Sequence, residues 1–363
     1  MPISAVDTIT LAFQHTKRQL IQPFRFWQWT RLAAVGLLAG DAGSGGSFHF
    51  PTNFNPGQHS PSSRYFLEQS WPNIDPALLG ALITVLVVAG LVFAIVFTYI
   101  SSVMRFILFD SVIAKECHIR AGWSRRQTPG WRYFLWQLGF LAVTLVGLAV
   151  LLGIPAAIAY GKGWFSEPRD HVVPLVVGGI VVFFLLMIFV IAAAVVQVLT
   201  KDFVIPQMAL EGLGVVEGWR RLWPMIQAEM GGYAAYVGMK IVLAIGAAIV
   251  IGIASIVLLL FILIPVAGVG IGAVIGGKAA GLTWNVFTIT VAVVAVCIML
   301  AVLFYLTALI SVPVIVFFPA YSIYFFAARY RALSLVLYPP PPSPLPTGGP
   351  PQEPPPLLPE LAV

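Results

Sequence analysis

Long apolar runs alternate with short polar and basic segments along most of the chain. Most of these runs hold about 20 or more residues, which is enough to cross roughly 30 Å of hydrocarbon as an α-helix. The pattern therefore predicts six membrane spans. They lie at about residues 24–40, 78–104, 134–160, 172–199, 233–266 and 284–326.

The first and last of these spans depart from the common pattern. The run at 24–40 is short and carries Arg25 and Arg31, so a helix lying in the membrane surface is the alternative to a crossing. The run at 284–326 is longer than one crossing requires. Because proline interrupts helical hydrogen bonding, we expect this run to bend at Pro313 or Pro319.

Composition favours a membrane protein over a soluble one. Hydrophobic residues make up 59% of the 363 residues and charged residues only 9%, whereas about 25% of the residues in soluble domains are charged. So few charges cannot cover a water-exposed surface. We therefore predict an all-α integral membrane fold, a six-helix bundle whose membrane domain occupies residues 1–338.

Lysine and arginine cluster on one side of the predicted spans. The segments on that side hold 16 of the 20 Lys and Arg residues. The opposite connections carry the other four: Arg64, Lys162, Arg169 and Lys278. Under the positive-inside rule, both termini are then cytoplasmic, which requires an even number of crossings. We expect a multi-pass protein of the inner cell membrane. The placement of the charges beside spans also argues against a nucleic-acid partner.

Two short motifs indicate an internal repeat. "AGWSRR" (121–126) and "EGWRRL" (217–222) share Gly, Trp and Arg at a constant offset of 96 residues, and the same offset places Arg105 on Lys201. Each motif follows one predicted span and precedes the next. One offset covers two crossings, so the two copies have the same orientation and form a parallel repeat.

The remaining spans suggest a third copy. "KRQLIQPFRFWQW" (17–29) resembles "RRQTPGWRYFLWQ" (125–137) with one gap, and "VFFP" ending at Pro319 resembles "FVIP" ending at Pro206. The last span and the first would then form one helix pair. The sequence predicts three helix pairs around a pseudo-threefold axis, joined by amphipathic cytoplasmic elbows. The alternative is that Gly, Trp and Arg are simply common beside membranes.

The elbows supply the candidate functional residues. Tryptophan is suited to the headgroup zone, and arginine can bind phosphate through two parallel hydrogen bonds. Topological anchoring without lipid recognition is the alternative for all of these side chains. The candidate contacts with lipid headgroups, some of them anionic, are Arg105, Trp123, Arg125, Arg126, Lys201, Trp219, Arg220 and Arg221.

The predicted spans contain few groups that carry chemistry. Ionisable residues inside a membrane usually mark catalysis or ion coupling, and the span interiors have essentially none. No motif predicts a catalytic site, a cofactor or a metal centre. The remote candidates for an enzyme are Asp110, His118, Asp202 and Glu211. The mild polar residues within the spans are Thr98, Ser101, Thr144, Gln197, Ser255, Asn285, Thr288 and Thr307.

Two segments are predicted to lie outside the bundle. The connection at about residues 41–76 is rich in Gly, Ser and Pro and is predicted to be a flexible loop on the outside. Residues 339–363 are about half proline, a composition typical of extended, disordered polyproline II. This cytoplasmic tail is either a spacer or a docking peptide for a protein partner.

Several stretches resemble a known group. They are "PFRFWQWTRLAAVGLLAG" (23–40), "DFVIPQMALEGLGVVEGWRRL" (202–222) and the proline-containing last span. They resemble uncharacterised prokaryotic six-helix membrane proteins related to the membrane domain of some glycerophosphodiester phosphodiesterases. The resemblance covers about residues 1–335, and the catalytic domain of those enzymes has no counterpart in it. It implies a membrane-resident, lipid-handling or partner-binding module.

These observations favour a non-enzymatic membrane scaffold or a module that binds lipid headgroups. The alternative is a transporter or channel for a small or lipidic solute. Its path would follow a central cavity lined by the polar span residues named above.

Overall fold

The structure, a computed structural model, describes residues 4–22, 24–40, 76–165, 169–279 and 286–339. The predicted outside loop before Pro76 and the tail beyond Pro339 lie outside these residues. The described residues form α-helices and one π-helical turn, without a strand. The all-α prediction is therefore confirmed.

Ten α-helices follow one another along the described chain. They are α1 (Asp7–Leu20), α2 (Phe26–Leu38), α3 (Pro76–Ala114), α4 (Ile119–Gly161), α5 (Val172–Leu199), α6 (Ile205–Glu211), α7 (Val215–Ala228), α8 (Met230–Ala279), α9 (Val286–Ala327) and α10 (Arg331–Leu337). The π-helical turn Thr200–Val204 joins α5 to α6.

Five stretches of the described chain are long and apolar enough to cross a membrane. They are Ala77–Ala114, Ile119–Gly161, Val172–Glu211, Met230–Gly272 and Phe287–Ala327. The first four contain the predicted spans 78–104, 134–160, 172–199 and 233–266, and the fifth covers the predicted last span from residue 287 onwards. The membrane character of the chain is therefore confirmed. The predicted first span coincides with α2, whose 13 residues extend only about 20 Å as a helix.

The last span forms one helix without a break. Helix α9 runs for 42 residues with Pro313 and Pro319 inside it, a length of about 63 Å, and the expected bend at one of these prolines stays a prediction. The helix is longer than one crossing requires. The same holds for α3 with 39 residues and α4 with 43.

Burial divides the long helices into two parts. On α3 every residue from 77 to 96 is exposed, a stretch of about 30 Å that matches the hydrocarbon thickness. Burial then begins, and it recurs where α5 and α9 end. We call the segments 102–112, 199–209 and 311–327 the basal core, because most of the fully buried side chains lie there.

Aromatic rings fill the centre of the basal core. Phe203 of the π-helical turn lies 5.1 Å from Phe326 and 5.9 Å from Phe325 between ring centroids. Tyr236 of α8 stacks on Tyr321 of α9 at 5.1 Å and an interplanar angle of 8°. Such ring pairs stabilise a fold by about 0.5–1.5 kcal/mol beyond the area they bury. They join α5, α8 and α9 at one end.

Helix α1 lies across the ends of α3 and α9. Its Gln19 donates to the carbonyl of Ser111 at 3.0 Å, and Tyr321 donates to the carbonyl of Ala5 at 3.2 Å. The His15 ring joins both long helices: Nε2 lies 2.9 Å from the Val112 carbonyl and Nδ1 3.0 Å from the Tyr324 hydroxyl. Because a carbonyl only accepts, Nε2 donates and the neutral Nδ1 accepts from Tyr324.

Helix α2 runs antiparallel to the last half of α3. It begins near Lys115, whose carbonyl accepts from Gln28 at 2.6 Å. It ends at Ala39, whose carbonyl accepts from Arg105 at 2.6 Å. Along its length Gly36 meets α9 so closely that an added Cβ would lie 2.3 Å from Cγ2 of Ile315. Glycine is therefore required at this crossing.

We expect Gly36→Ala to destabilise the protein by about 1–3 kcal/mol through overpacking. The matched control is Gly90→Ala on α3, where an added Cβ meets nothing within 4 Å and alanine is the better helix former by about 1 kcal/mol. Thermal unfolding in detergent measures both. Equal unfolding temperatures for the two variants would contradict the close α2–α9 contact.

We also expect the stability of the protein to decrease as the pH falls, because of His15. Burial, together with Lys115 and Arg18, lowers the pKa of His15 below 6.5, against an opposing effect of the Val112 hydrogen bond. Between that lowered pKa and 6.5 the unfolded chain binds more protons, so stability is complete above pH 6.5 and is lost below it. Unfolding measured from pH 7.5 to 5.5 should show this loss in wild type and in His118→Gln, but not in His15→Gln.

Candidate functional site at the basal end

The structure distributes the eight predicted residues over three neighbouring places. Trp123, Arg125 and Arg126 belong to the first elbow, which we define as residues 115–126. Trp219, Arg220 and Arg221 belong to the second elbow, residues 211–222. Arg105 and Lys201 line a cavity between the helices. The eight residues therefore form no single cluster.

In the first elbow the chain reverses between α3 and α4. Lys115 adopts a left-handed backbone conformation with φ of 57°, which ends α3. Gly122 then packs against Ile107, where an added Cβ would lie 3.1 Å from Cγ1 of Ile107. The Trp123 ring meets Tyr99 edge-on at 6.2 Å. The Gly-Trp pair thus fastens the start of α4 to α3.

The two arginines of the first elbow have different environments. Arg126 makes two hydrogen bonds of 2.7 Å with the Asp110 carboxylate, from Nε and Nη2, and a third to the Ala209 carbonyl. It is largely buried and braces α3, α4 and α6 together. Arg125 is exposed, and no hydrogen bond or ion pair is recorded for it with the described residues.

The second elbow repeats the first with small shifts. An added Cβ at Gly218 would lie 2.7 Å from Cγ1 of Val204, on the preceding π-helical turn. The indole N–H of Trp219 donates to the Thr200 hydroxyl at 3.0 Å. Gly212, with φ of 69°, occupies the left-handed position that ends α6. Here too the Gly-Trp pair fastens a helix to the one before it.

The arginines of the second elbow also differ from each other. Arg221 pairs with Glu211, which Tyr330 also contacts, and Nε of Arg221 lies 3.7 Å from Glu217. The Arg220 side chain is 80% exposed, with a contact to Glu217 at 3.5 Å. Each elbow therefore holds one arginine that braces the fold and one that projects into the surroundings.

A small cavity lies where α3, the π-helical turn, α8 and α9 meet. Its volume is about 70 Å³, several times the roughly 10–15 Å³ needed for one water. Its lining includes three cationic side chains, one carboxylate and a serine: Arg105, Lys201, Lys240, Asp202 and Ser322. Arg105 and Lys201, which the offset of 96 residues aligns in the sequence, therefore line the same cavity.

Asp202 holds part of this lining in place. One of its oxygens accepts from Lys240 at 2.5 Å and from Tyr236 at 2.9 Å. Side-chain exposure is 9% for Asp202 and 15% for Lys240, so the ion pair is shielded from water. Lys240 lies near the start of α8. It turns inward because Asp202, one turn past the end of an apolar run, offers a buried partner.

The other predicted acids are also engaged in ion pairs. Asp110 binds Arg126, and Glu211 binds Arg221. Among the described residues, no group of three or more His, Cys, Asp and Glu side chains converges as a metal site would require. Several hydroxyls proposed for a transport path bond to carbonyls of their own helix: Thr98 to Ala94, Thr144 to Phe140 and Thr307 to Leu303.

Comparison with known proteins identifies the family. Residues 3–336 match a family of unknown function, DUF7544, and the chain belongs to it. No curated protein and no solved structure matches the chain. The match covers both elbows and every residue that lines the cavity, so these features lie within the part of the chain that defines the family.

We expect removal of one partner of the buried Asp202–Lys240 pair to cost about 3–5 kcal/mol, because the other charge is left buried. Asp202→Asn with Lys240→Met should cost less than the sum of the two single changes. Chemical unfolding of the four proteins gives the coupling energy. The exposed Glu217–Arg220 pair is the control, with an expected coupling of about 0–1 kcal/mol. Equal couplings for the two pairs would show that burial does not set their strength.

Proposed function

We propose that this protein is a non-enzymatic membrane module that binds anionic lipid headgroups at its basal end. The observation that carries the proposal is that the two neighbouring arginines of each elbow have different partners. Arg126 and Arg221 bond to acids of the preceding helix. Among the described residues, the exposed Arg125 and Arg220 beside them do not, and Arg220 contacts Glu217 of its own helix. An arginine that served only to brace the fold would not need an exposed neighbour.

The chemistry of the exposed arginines suits lipid phosphates. A guanidinium can form two parallel hydrogen bonds with a phosphate, and it keeps its charge at any physiological pH. Each basic side chain near an anionic membrane surface contributes about 1 kcal/mol of attraction. Trp123 and Trp219 assist indirectly, because they fasten the elbows that carry these arginines. This assignment replaces direct headgroup contact by the two tryptophans.

The proposal includes six crossings with both termini on the cytoplasmic side of the inner membrane. The sixth crossing of this proposal is the predicted first span, residues 24–40, which coincides with α2. The elbows, which are rich in Lys and Arg, then lie inside.

The proposal also retains the parallel repeat. Gly122 and Gly218 pack on Ile107 and Val204, and the two contact positions differ by 97 residues, one more than the motif offset. The bracing arginines, Arg126 and Arg221, are 95 residues apart. Shared contacts at nearly equal spacing favour descent from one helix pair. A third pair from α9 and α2, in close contact at Gly36 and Ile315, would complete the pseudo-threefold arrangement.

A role as a scaffold follows from the same features. The resemblance of residues 1–335 to the membrane domain of some glycerophosphodiester phosphodiesterases would fit a lipid-handling module. The proline-rich tail is the candidate for recruiting a protein partner, since polyproline segments dock readily into aromatic grooves. Lipid binding at the elbows and partner binding at the tail would then occur on one side of the membrane.

A transporter remains the second hypothesis, and the cavity between three helices is the observation that favours it. Its lining contains none of the mild polar residues proposed for a solute path. Thr98, Thr144 and Thr307 use their hydroxyls within their own helices. A module that binds headgroups at exposed elbows needs no path through the bundle, whereas a transporter needs a continuous polar route. The binding reading is therefore preferred.

We expect Arg125→Gln with Arg220→Gln to weaken binding of phosphatidylglycerol roughly tenfold or more, at about 1 kcal/mol per arginine. The matched control is Lys162→Gln with Arg169→Gln, an equal change of charge at exposed sites of the opposite connection. Mass spectrometry of lipids retained after gentle solubilisation measures both. If the elbow variant retains as much phosphatidylglycerol as wild type, the arginines serve only as orientation anchors.

A further inference from the structure

We infer that the proline-rich tail, residues 339–363, docks on an aromatic surface of its own chain. This surface lies at the turn between α1 and α2, and we call it the turn patch. Its members are large apolar side chains that are all exposed: Ile21, Phe24, Phe26 and Trp27. The inference goes beyond the proposed function and does not depend on lipid binding at the elbows. It names what the tail contacts when no partner protein is bound.

The fold holds the rings of the turn patch in place. Trp27 is 75% exposed, and the Phe24 ring packs on Trp29 with 5.5 Å between ring centroids. Trp29 is fixed in turn, because its indole N–H donates to the Leu20 carbonyl at 3.0 Å. Proline-rich segments dock on exposed aromatic rings. Rings that are already in position lower the entropic cost of that docking.

The sequence of the tail matches such a surface. Its second half contains two PxxP patterns, "PQEP" (351–354) and "PLLP" (356–359). This composition favours the polyproline II helix, which is extended before it binds and therefore loses little entropy on docking. Leu357 and Leu358 add apolar side chains between two of the prolines. The tail thus offers the kind of segment that exposed aromatic rings bind.

The tail begins beside helix α1. Leu337, the last residue of α10, lines one cavity together with His15 of α1. His15 precedes Ile21 by six residues, which is about 9 Å along the helix. From Tyr338 to residue 351 the tail has 13 residues, which extend up to about 40 Å as polyproline II. The PxxP patterns can therefore reach the turn patch without any change in the fold.

The charges of the tail and of the turn patch are opposite. The tail carries Glu353 and Glu360 and neither lysine nor arginine. Three exposed cationic side chains flank the turn patch: Lys17, Arg18 and Arg25. Arg25 remains exposed although it contacts Glu116 at 3.8 Å. Complementary charges of this kind favour the correct partner and orientation. They favour the acidic tail as the occupant.

Docking within one chain requires only a weak affinity. A short connection gives an effective concentration on the order of millimolar, so even a weak contact is occupied much of the time. A partner protein that binds the tail would have to displace it from the turn patch. Its apparent affinity then falls in proportion to the fraction of tail that is free. The turn patch would in this way control when the tail is available.

The test measures how far the tail shields Trp27 in the full-length, purified protein. Hydroxyl-radical footprinting with mass spectrometry gives the oxidation rate of each tryptophan. The tail variant combines four substitutions: Pro351→Ala, Pro354→Ala, Pro356→Ala and Pro359→Ala. We expect Trp27 to be oxidised at least about threefold faster in this variant than in wild type, because the wild-type tail is docked for most of the time. The control is Trp223, which is also exposed and should be oxidised equally in both proteins.

Equal oxidation of Trp27 in the two proteins overturns the inference. A fast rate in both would show that the turn patch is uncovered, and a slow rate in both would assign its cover to lipid or detergent. Loss of the shielding on dilution would assign it to the tail of a second copy, and the inference would also be wrong.

A milder variant guards against misfolding of the first. Glu353→Gln with Glu360→Gln keeps every proline and removes both acidic side chains of the tail. We expect it to raise the oxidation of Trp27 by a smaller factor than the proline variant, because it removes only the attraction between charges. If the proline variant does not fold and this variant leaves Trp27 at the wild-type rate, the inference is overturned.

Discussion

Lipid provides no hydrophobic driving force for apolar helices to associate, because lipid tails are as apolar as leucine. This constraint determines where the helices pack against one another. Residues 77–96 of α3 are all exposed, so the lipid-facing parts of the helices contribute little to the core. Association is concentrated at the basal core, where helices longer than the membrane bring Phe203, Tyr236 and Tyr321 together. The length of the helices is therefore a structural requirement and not an excess.

The basal core also sorts the positive charges by environment. Cations that point into the protein have partners that fix them: Lys240 with Asp202, Arg126 with Asp110, and Arg329 with Glu229. Cations that point outward, such as Arg125 and Arg220, remain exposed at the same end. A positive-inside signal alone would be satisfied by exposed charges of any arrangement. The structure instead couples each exposed arginine to a braced neighbour, which holds the elbow at a defined place.

Hydropathy predicted the long helices because it measures apolar character, which residues that face lipid must have. It missed α1, whose buried face consists of Thr8, His15, Thr16 and Gln19 as well as apolar residues, a composition that hydropathy scores as loop. The motif offset aligned Arg105 with Lys201 but could not show that they line one cavity. Asp202 and Lys240 lie 38 residues apart on different helices, and only the fold brings them within 2.5 Å. Spacing predicts helix faces, whereas contacts between helices depend on packing that no local pattern encodes.

The cavity lies where several elements of the basal core meet. Its lining draws on α3, α5, the π-helical turn, α6, α8 and α9, and the shielded ion pair of Asp202 and Lys240 holds part of that lining in place. Each charge of such a pair depends on the other, because an unpaired charge at low exposure is costly. A change at Asp202 or Lys240 therefore affects several helices at once, whereas a change at an exposed arginine such as Arg125 affects only its own elbow.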